Sequence, residues 1–102
     1  MAIKNSNVTT VATSIYTSVG NSATTTIHLC NYSNNLATAN IWIVPYTQQA
    51  NNVNMIYSNV NITGTNTLVI DTEKLILGNG DSVYANATAN LSIGATISYI
   101  GI

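Results

Sequence analysis

From Val83 onward the sequence alternates without a slip, with Val83, Ala85, Ala87, Ala89 and Leu91 set against Tyr84, Asn86, Thr88 and Asn90. A period of two is the signature of a strand with one buried and one wet face. Most of the chain follows the same habit. Val11, Thr13, Ile15, Thr17 and Val19 share a face of a first strand that ends at Gly20-Asn21-Ser22. Thr24 to Asn31 makes a second, closed by the turn-rich Asn31-Tyr32-Ser33-Asn34-Asn35, and Ala37 to Val44 a third, stopped by Pro45. Beyond the polar connection at 48–52, a fourth strand sets Ile56, Val60 and Ile62 against Met55, Tyr57, Asn59 and Asn61. Gly64-Thr65-Asn66 turns the chain into Thr67-Leu68-Val69-Ile70. Leu75-Ile76-Leu77 then runs into Gly78-Asn79-Gly80-Asp81, where Asn-Gly is a strong hairpin signal. A last strand from Ile93 to Ile100 brings Ile93, Ile97 and Tyr99 together.

Helix formers are scarce and β-branched residues dominate, so the expected fold is all-β. Short strands separated by turn signals at this spacing point to one antiparallel β-sandwich over residues 1–102, Ig-like or jelly-roll, with about seven to eight short strands. The apolar rows form its core, and the small Ala85, Ala87 and Ala89 predict a close approach of the two sheets. The chain is 46% apolar, which speaks against intrinsic disorder. With Cys30 the only cysteine, the core must hold without an intrachain disulfide.

Between Lys4 and Asp71 there is no Asp, Glu, Lys or Arg, and after Asp81 there is none to the end. Charged residues make up 5% of the chain, against about 25% in an ordinary soluble domain, so solubility rests on Asn, Thr and Ser. Ionised groups resist burial, and the centres of protein contacts are depleted of them. A coat of amides and hydroxyls therefore suits packing against other subunits. Two lysines and no arginine cannot form the basic stripe that nucleic acid requires. The longest apolar run, Ile41-Trp42-Ile43-Val44, is far short of a membrane helix. Met1-Ala2-Ile3-Lys4-Asn5-Ser6-Asn7 has no apolar core of signal-peptide type, so synthesis and first folding in the cytoplasm are expected.

Candidates for chemistry are few. Asp71 and Glu73 are two apart and would share a strand face, but Lys74 beside them and the turn position of Asp81 favour structural roles over acid-base work. His28 and Cys30 fall on one strand face, yet two ligands do not close a metal site, and Cys30 reads as a small buried hydrophobe. Gly78-Asn79-Gly80 lacks the helix and lysine of a phosphate loop. No catalytic, cofactor or metal site is expected. The sequons at Asn7, Asn31, Asn61, Asn86 and Asn90 are about as many as chance gives in a chain so rich in Asn, Ser and Thr.

The aromatic residues are more informative. Six tyrosines and one tryptophan occur with no phenylalanine, so each ring carries a polar tip suited to half-buried contact surfaces. Trp42 lies opposite Ile41 and Ile43, while Tyr57 and Tyr84 lie opposite the apolar rows of their strands, which makes the three a candidate interface. The competing readings are that loops or the second sheet cover them, or that they form a platform for neutral sugars.

Two segments, Thr26-Ile27-His28-Leu29-Cys30-Asn31-Tyr32-Ser33 and Val69-Ile70-Asp71-Thr72-Glu73-Lys74-Leu75-Ile76-Leu77, carry a resemblance together with Gly80-Asp81-Ser82-Val83 and Ile97-Ser98-Tyr99-Ile100. They resemble small all-β virion proteins of tailed bacteriophages. The resemblance implies a non-enzymatic, homo-oligomeric subunit located in the virion, most simply a capsid decoration or cement protein packed against itself and the major capsid protein. It leaves open a tail, baseplate or fibre subunit, or a host-surface glycan-binding module, and it carries no functional residues onto this chain.

Overall fold

The computed structural model describes residues 2–71, 74–88 and 92–102. Among them are nine strands and no helix: β1 (Ala2–Val8), β2 (Thr13–Thr17), β3 (Ser22–Asn31), β4 (Ala37–Val44), β5 (Met55–Ile62), β6 (Thr67–Ile70), β7 (Ile76–Leu77), β8 (Ser82–Ala87) and β9 (Ile93–Gly101). One sheet runs β1-β9-β3-β6, with β7 also on β3, and the other runs β2-β8-β4-β5. All pairs are antiparallel. β6 and β7 lie along one side of β3, at Ile27–Cys30 and Ser22–Ala23, and act as a single interrupted strand. The pairing is therefore nested: β1 with β9, β2 with β8, β3 with β6 and β7, and β4 with β5. A long hairpin rolled into two sheets has this order, which is that of the jelly roll and not of the Ig fold.

Two expectations change here. The N-terminal segment is a full strand, β1, unread in sequence because Lys4 and Ser6 occupy what would be its apolar row. Asn79-Gly80 does not close a hairpin, because β7 and β8 belong to different sheets and the turn carries the chain across the sandwich. Gly80 is needed for two reasons: its φ is +88°, and a Cβ there would run into the Tyr46 ring.

The core lies between β3 and β9 on one side and β4 and β8 on the other. Ile27, Leu29, Ile93, Ala95 and Ile97 face Ala39, Ile41, Val83, Ala85 and Ala87, and all are buried. Ala39 pairs with Ala87 and Ile41 with Ala85, so the small side chains of one sheet leave room for the isoleucines of the other. Each fully buried branched side chain contributes roughly 1.5–3 kcal/mol relative to exposure. Ala89, Asn90 and Leu91 lie outside the described residues.

The first strand departs from its expected face. β2 covers only Thr13–Thr17, while Val11 and Val19 are 68% and 90% exposed in the flanking turns. The register slips between Ser14 and Tyr16, inserting Ile15 as an extra residue, so Ile15 and Tyr16 are buried in succession. Tyr16 satisfies its hydroxyl by donating to Ser22 Oγ at 2.9 Å, with Ser18 Oγ a further 2.7 Å from Ser22 Oγ. Its ring meets that of Tyr99 at 4.5 Å between centroids, joining the two sheets.

Candidate interaction surfaces

No strand from β2 to β9 contains a charged residue. Lys4 sits on β1, and Asp71, Lys74 and Asp81 lie in connections, so among the described residues both outer faces of the sandwich are neutral. The face of β1-β9-β3-β6 presents Asn5, Asn7, Thr96, Ser98, His28 and Cys30, as the register aligns Asn5 with Thr96 and Thr96 with His28. One end of this face is apolar: Ala23 pairs with both Ile100 and Ile76, whose side chains are exposed. Cys30 lies on this outer face and is exposed, not a buried hydrophobe, because Ile27 and Leu29 take the inward positions of β3.

The ionisable side chains outside the strands hold turns. Asp81 accepts hydrogen bonds from the backbone N–H of Tyr46 and of Gly78, both at 2.9 Å, tying the β7–β8 turn to the turn after β4. Lys74 Nζ donates to the carbonyls of Thr25, at 2.9 Å, and Asp71, at 2.6 Å. Thr25 is the extra residue of a bulge where β3 slips against β9, so Lys74 satisfies a carbonyl at the irregular step. Glu73 lies outside the described residues. Among those residues no group of three or more His, Cys, Asp or Glu could hold a metal ion.

The three predicted interface rings lie in different environments. Trp42 is on the outer face of β4, level with Tyr84 and Met55, yet only 7% exposed. Its Nε1 is buried and has no hydrogen-bond partner among the described residues. Tyr84 is half-buried on the same outer row. Tyr57 corrects the expectation, since it pairs with Ile41 and packs against the core. The reason is a slip: between Ala39 and Ile41, β5 spends three residues where β4 spends two, so Tyr57, Val60 and Ile62 all face inward and Ile56 turns out. Asn59 sits at the slip with φ of +52°, and its N–H donates to Asn40 Oδ1 at 2.8 Å. Asn40 in turn donates to Asn86 Oδ1 at 2.8 Å, forming an amide ladder across the outer face.

Sequence reasoning missed two kinds of residue. The freest large rings are Tyr46 and Tyr32, 65% and 51% exposed, on turns where no periodicity marks them. Asn31, read as a turn residue, is fully buried. Its Nδ2 donates to the carbonyls of Asn35 and Ile62, both at 2.8 Å, and its Oδ1 accepts from Ser33 N and Oγ at 3.0 and 2.7 Å. A buried amide with its bonding capacity filled fixes the loop after β3 against the end of β5. Comparison with protein-family models, curated proteins and solved structures finds no match for this chain.

Proposed function

We propose that the chain is a non-enzymatic structural subunit of a bacteriophage particle, a capsid decoration or cement protein that packs against copies of itself and against the major capsid protein. The observation that carries this reading is the neutrality of both outer faces of the jelly roll. A face of Asn, Thr and Ser with scattered isoleucines is desolvated at far lower cost than a charged one. The carboxylate of Asp81 and the ammonium of Lys74 are engaged in backbone hydrogen bonds, which further favours a scaffold over a catalyst. The resemblance of the segment from Val69 to Leu77 to small virion proteins agrees, as does the recurrence of jelly rolls in viral capsid domains, a fold-level analogy.

Mass spectrometry of purified particles, with copy number per virion, tests the reading. Hundreds of copies are expected for capsid decoration. A few copies would move the protein to the tail or fibre, and none would overturn the proposal. Binding to particles should also change little between low and high NaCl, because few charges are present to be screened. A steep loss with rising salt would contradict a neutral contact.

A further inference from the structure

Asn79-Gly80 is the one Asn-Gly pair in the sequence. Asparagine is a thermolabile residue, most of all before glycine, whose lack of a side chain leaves the neighbouring backbone nitrogen open to react. In a flexible chain the Gly80 nitrogen gives its proton to solvent, bonds to Cγ of Asn79 and expels the amide nitrogen as ammonia, closing a five-membered succinimide. Water then opens the ring at either carbonyl, leaving aspartate or isoaspartate. Neither residue is dispensable here. Gly80 has a φ of +88° and a Cβ on it would meet the Tyr46 ring, while Asn79 Oδ1 accepts the Gly20 N–H at 2.8 Å.

We infer that Asn79 is a latent modification site, held inert by the docking of the β7–β8 turn on the turn between β2 and β3. Three restraints meet three requirements of ring closure. The first is the backbone angle. Asp81 N–H donates to the Gly78 carbonyl at 3.1 Å, Gly80 has positive φ and Asn79 does not, which makes Gly78 to Asp81 a type II turn. Such a turn holds ψ at Asn79 at about +120°, and the Gly80 nitrogen must rotate about a third of a turn from there to eclipse Cβ and close the ring. The second restraint is on the nucleophile. Gly80 N–H donates to the Ser18 carbonyl at 2.9 Å, and Ser18 N–H returns a bond to the Asp81 carbonyl at 2.9 Å. The third is on the amide, whose Oδ1 is tied to Gly20 N–H in the facing turn.

Ser18 and Gly20 supply two of the three restraints, so the pair is guarded only while the two turns stay docked. The Asp81 carboxylate braces the docked turn from its other side, through the N–H groups of Gly78 and Tyr46. A breach is irreversible. Isoaspartate lengthens the backbone by one methylene, which spoils the closure of the turn between Gly78 and Asp81. Aspartate instead adds a charge two residues from Asp81, in a chain that has few. Local opening of this turn therefore sets the chemical lifetime of the protein. The chemistry holds whatever the chain assembles with.

The test incubates the whole chain in mildly alkaline buffer, folded and in guanidinium chloride, and follows loss of the Asn79 amide by mass spectrometry of the peptide that carries it. The folded chain should convert at least about tenfold more slowly than the unfolded one. Asp81→Ala removes the acceptor for Gly78 and Tyr46, and should speed conversion of the folded chain at least about threefold, in step with faster hydrogen exchange at the Gly80 amide. Equal rates in the folded and unfolded chain would overturn the guard. So would a variant whose Gly80 amide exchanges faster while Asn79 converts no faster. Should Asp81→Ala fail to fold, the unsubstituted chain in the two solvents still decides, since its folded form must protect both the Gly80 amide and the Asn79 side chain.

Discussion

β4 has two neighbours that treat it differently. Toward β8 it keeps register from Ala39↔Ala87 to Val44↔Ser82, whereas toward β5 it slips once between Ala39 and Ile41 and again between Ile41 and Trp42. β8 is paired on both sides, so one slip there would turn Val83, Ala85 and Ala87 out of the core and disturb β2 as well. β5 is an edge and answers to one neighbour only. It absorbs extra residues, places Tyr57 inward and Ile56 outward, and in doing so denies its free side to another strand. Within this sheet strict alternation therefore marks β8, held on both sides, and broken alternation marks the edges β5 and β2. In the other sheet, by contrast, β3 bulges at Thr25 although both its sides are paired, and the edge strand β1 keeps unbroken register.

The largest expected effect comes from putting a carboxylate where the regular strands face inward. Val83→Asp and Ile97→Asp should each abolish folding, since both sites are fully buried and an unpaired buried carboxylate costs more than about 4 kcal/mol, a large part of a domain's stability. Ile56→Asp, on the slipped strand and 40% exposed, should fold, as should Thr88→Asp at the exposed end of β8. Circular dichroism and melting of the four variants decide the matter. An unfolded Ile56→Asp would mean that β5 keeps its alternation and that the contrast with β8 is false.

The second effect is smaller and separates two tyrosines on either side of β4. Tyr57→Ala removes a ring packed on the core and should cost about 2–3 kcal/mol, near the low end for aromatic truncation because the ring is only half-buried. Tyr84→Ala, on the outer row, should cost less than about 1 kcal/mol of stability. At about 4–8 °C of melting temperature per kcal/mol for a domain of this size, the two are readily told apart. Binding to particles should fall for Tyr84→Ala at temperatures where it stays folded. Equal melting of the two variants would remove the inward assignment of Tyr57.

The legibility of the sequence follows the same divide. The central strands were readable: Ala37 to Val44 coincides with β4, and the rows of Val83, Ala85 and Ala87 and of Ile93 and Ile97 are buried as their alternation requires. Bulges were unreadable, because a single inserted residue leaves composition unchanged while exchanging faces, as with Tyr16, Tyr57 and Ile56. β1 escaped notice because its inward positions lie at the open rim of the sandwich, where Lys4 and Ser6 are tolerated. The Asn79-Gly80 turn carries the local signal of a hairpin, but sheet membership is decided by the nested long-range pairing. Of the candidate interface, Tyr84 was placed correctly on an outer face. Trp42 was placed on the correct side but proves nearly buried, and Tyr57 was misplaced by the slip.

The smallest effect probes the slip itself, at Asn59. Its φ of +52° lies in the left-handed region, which costs most residues about 1–2 kcal/mol and which Asn tolerates better than others. If the positive φ defines the bulge, then Asn59→Gly should leave stability unchanged or raise it by a few tenths of a kcal/mol, since glycine enters this region freely but loses more entropy on folding. Asn59→Val should lower it by about 1–2 kcal/mol, because a β-branched side chain is least suited to that backbone. The Asn59 side chain is exposed and the hydrogen bond at this site is donated by its backbone N–H to Asn40, so neither change removes a core contact or that bond. The sign of the difference between Gly and Val thus reports backbone conformation alone. In a regular strand the order would reverse, since valine is favoured and glycine disfavoured there. A valine variant that melts above the glycine variant would therefore show β5 to be straight at Asn59 and would restore Tyr57 to the outer face.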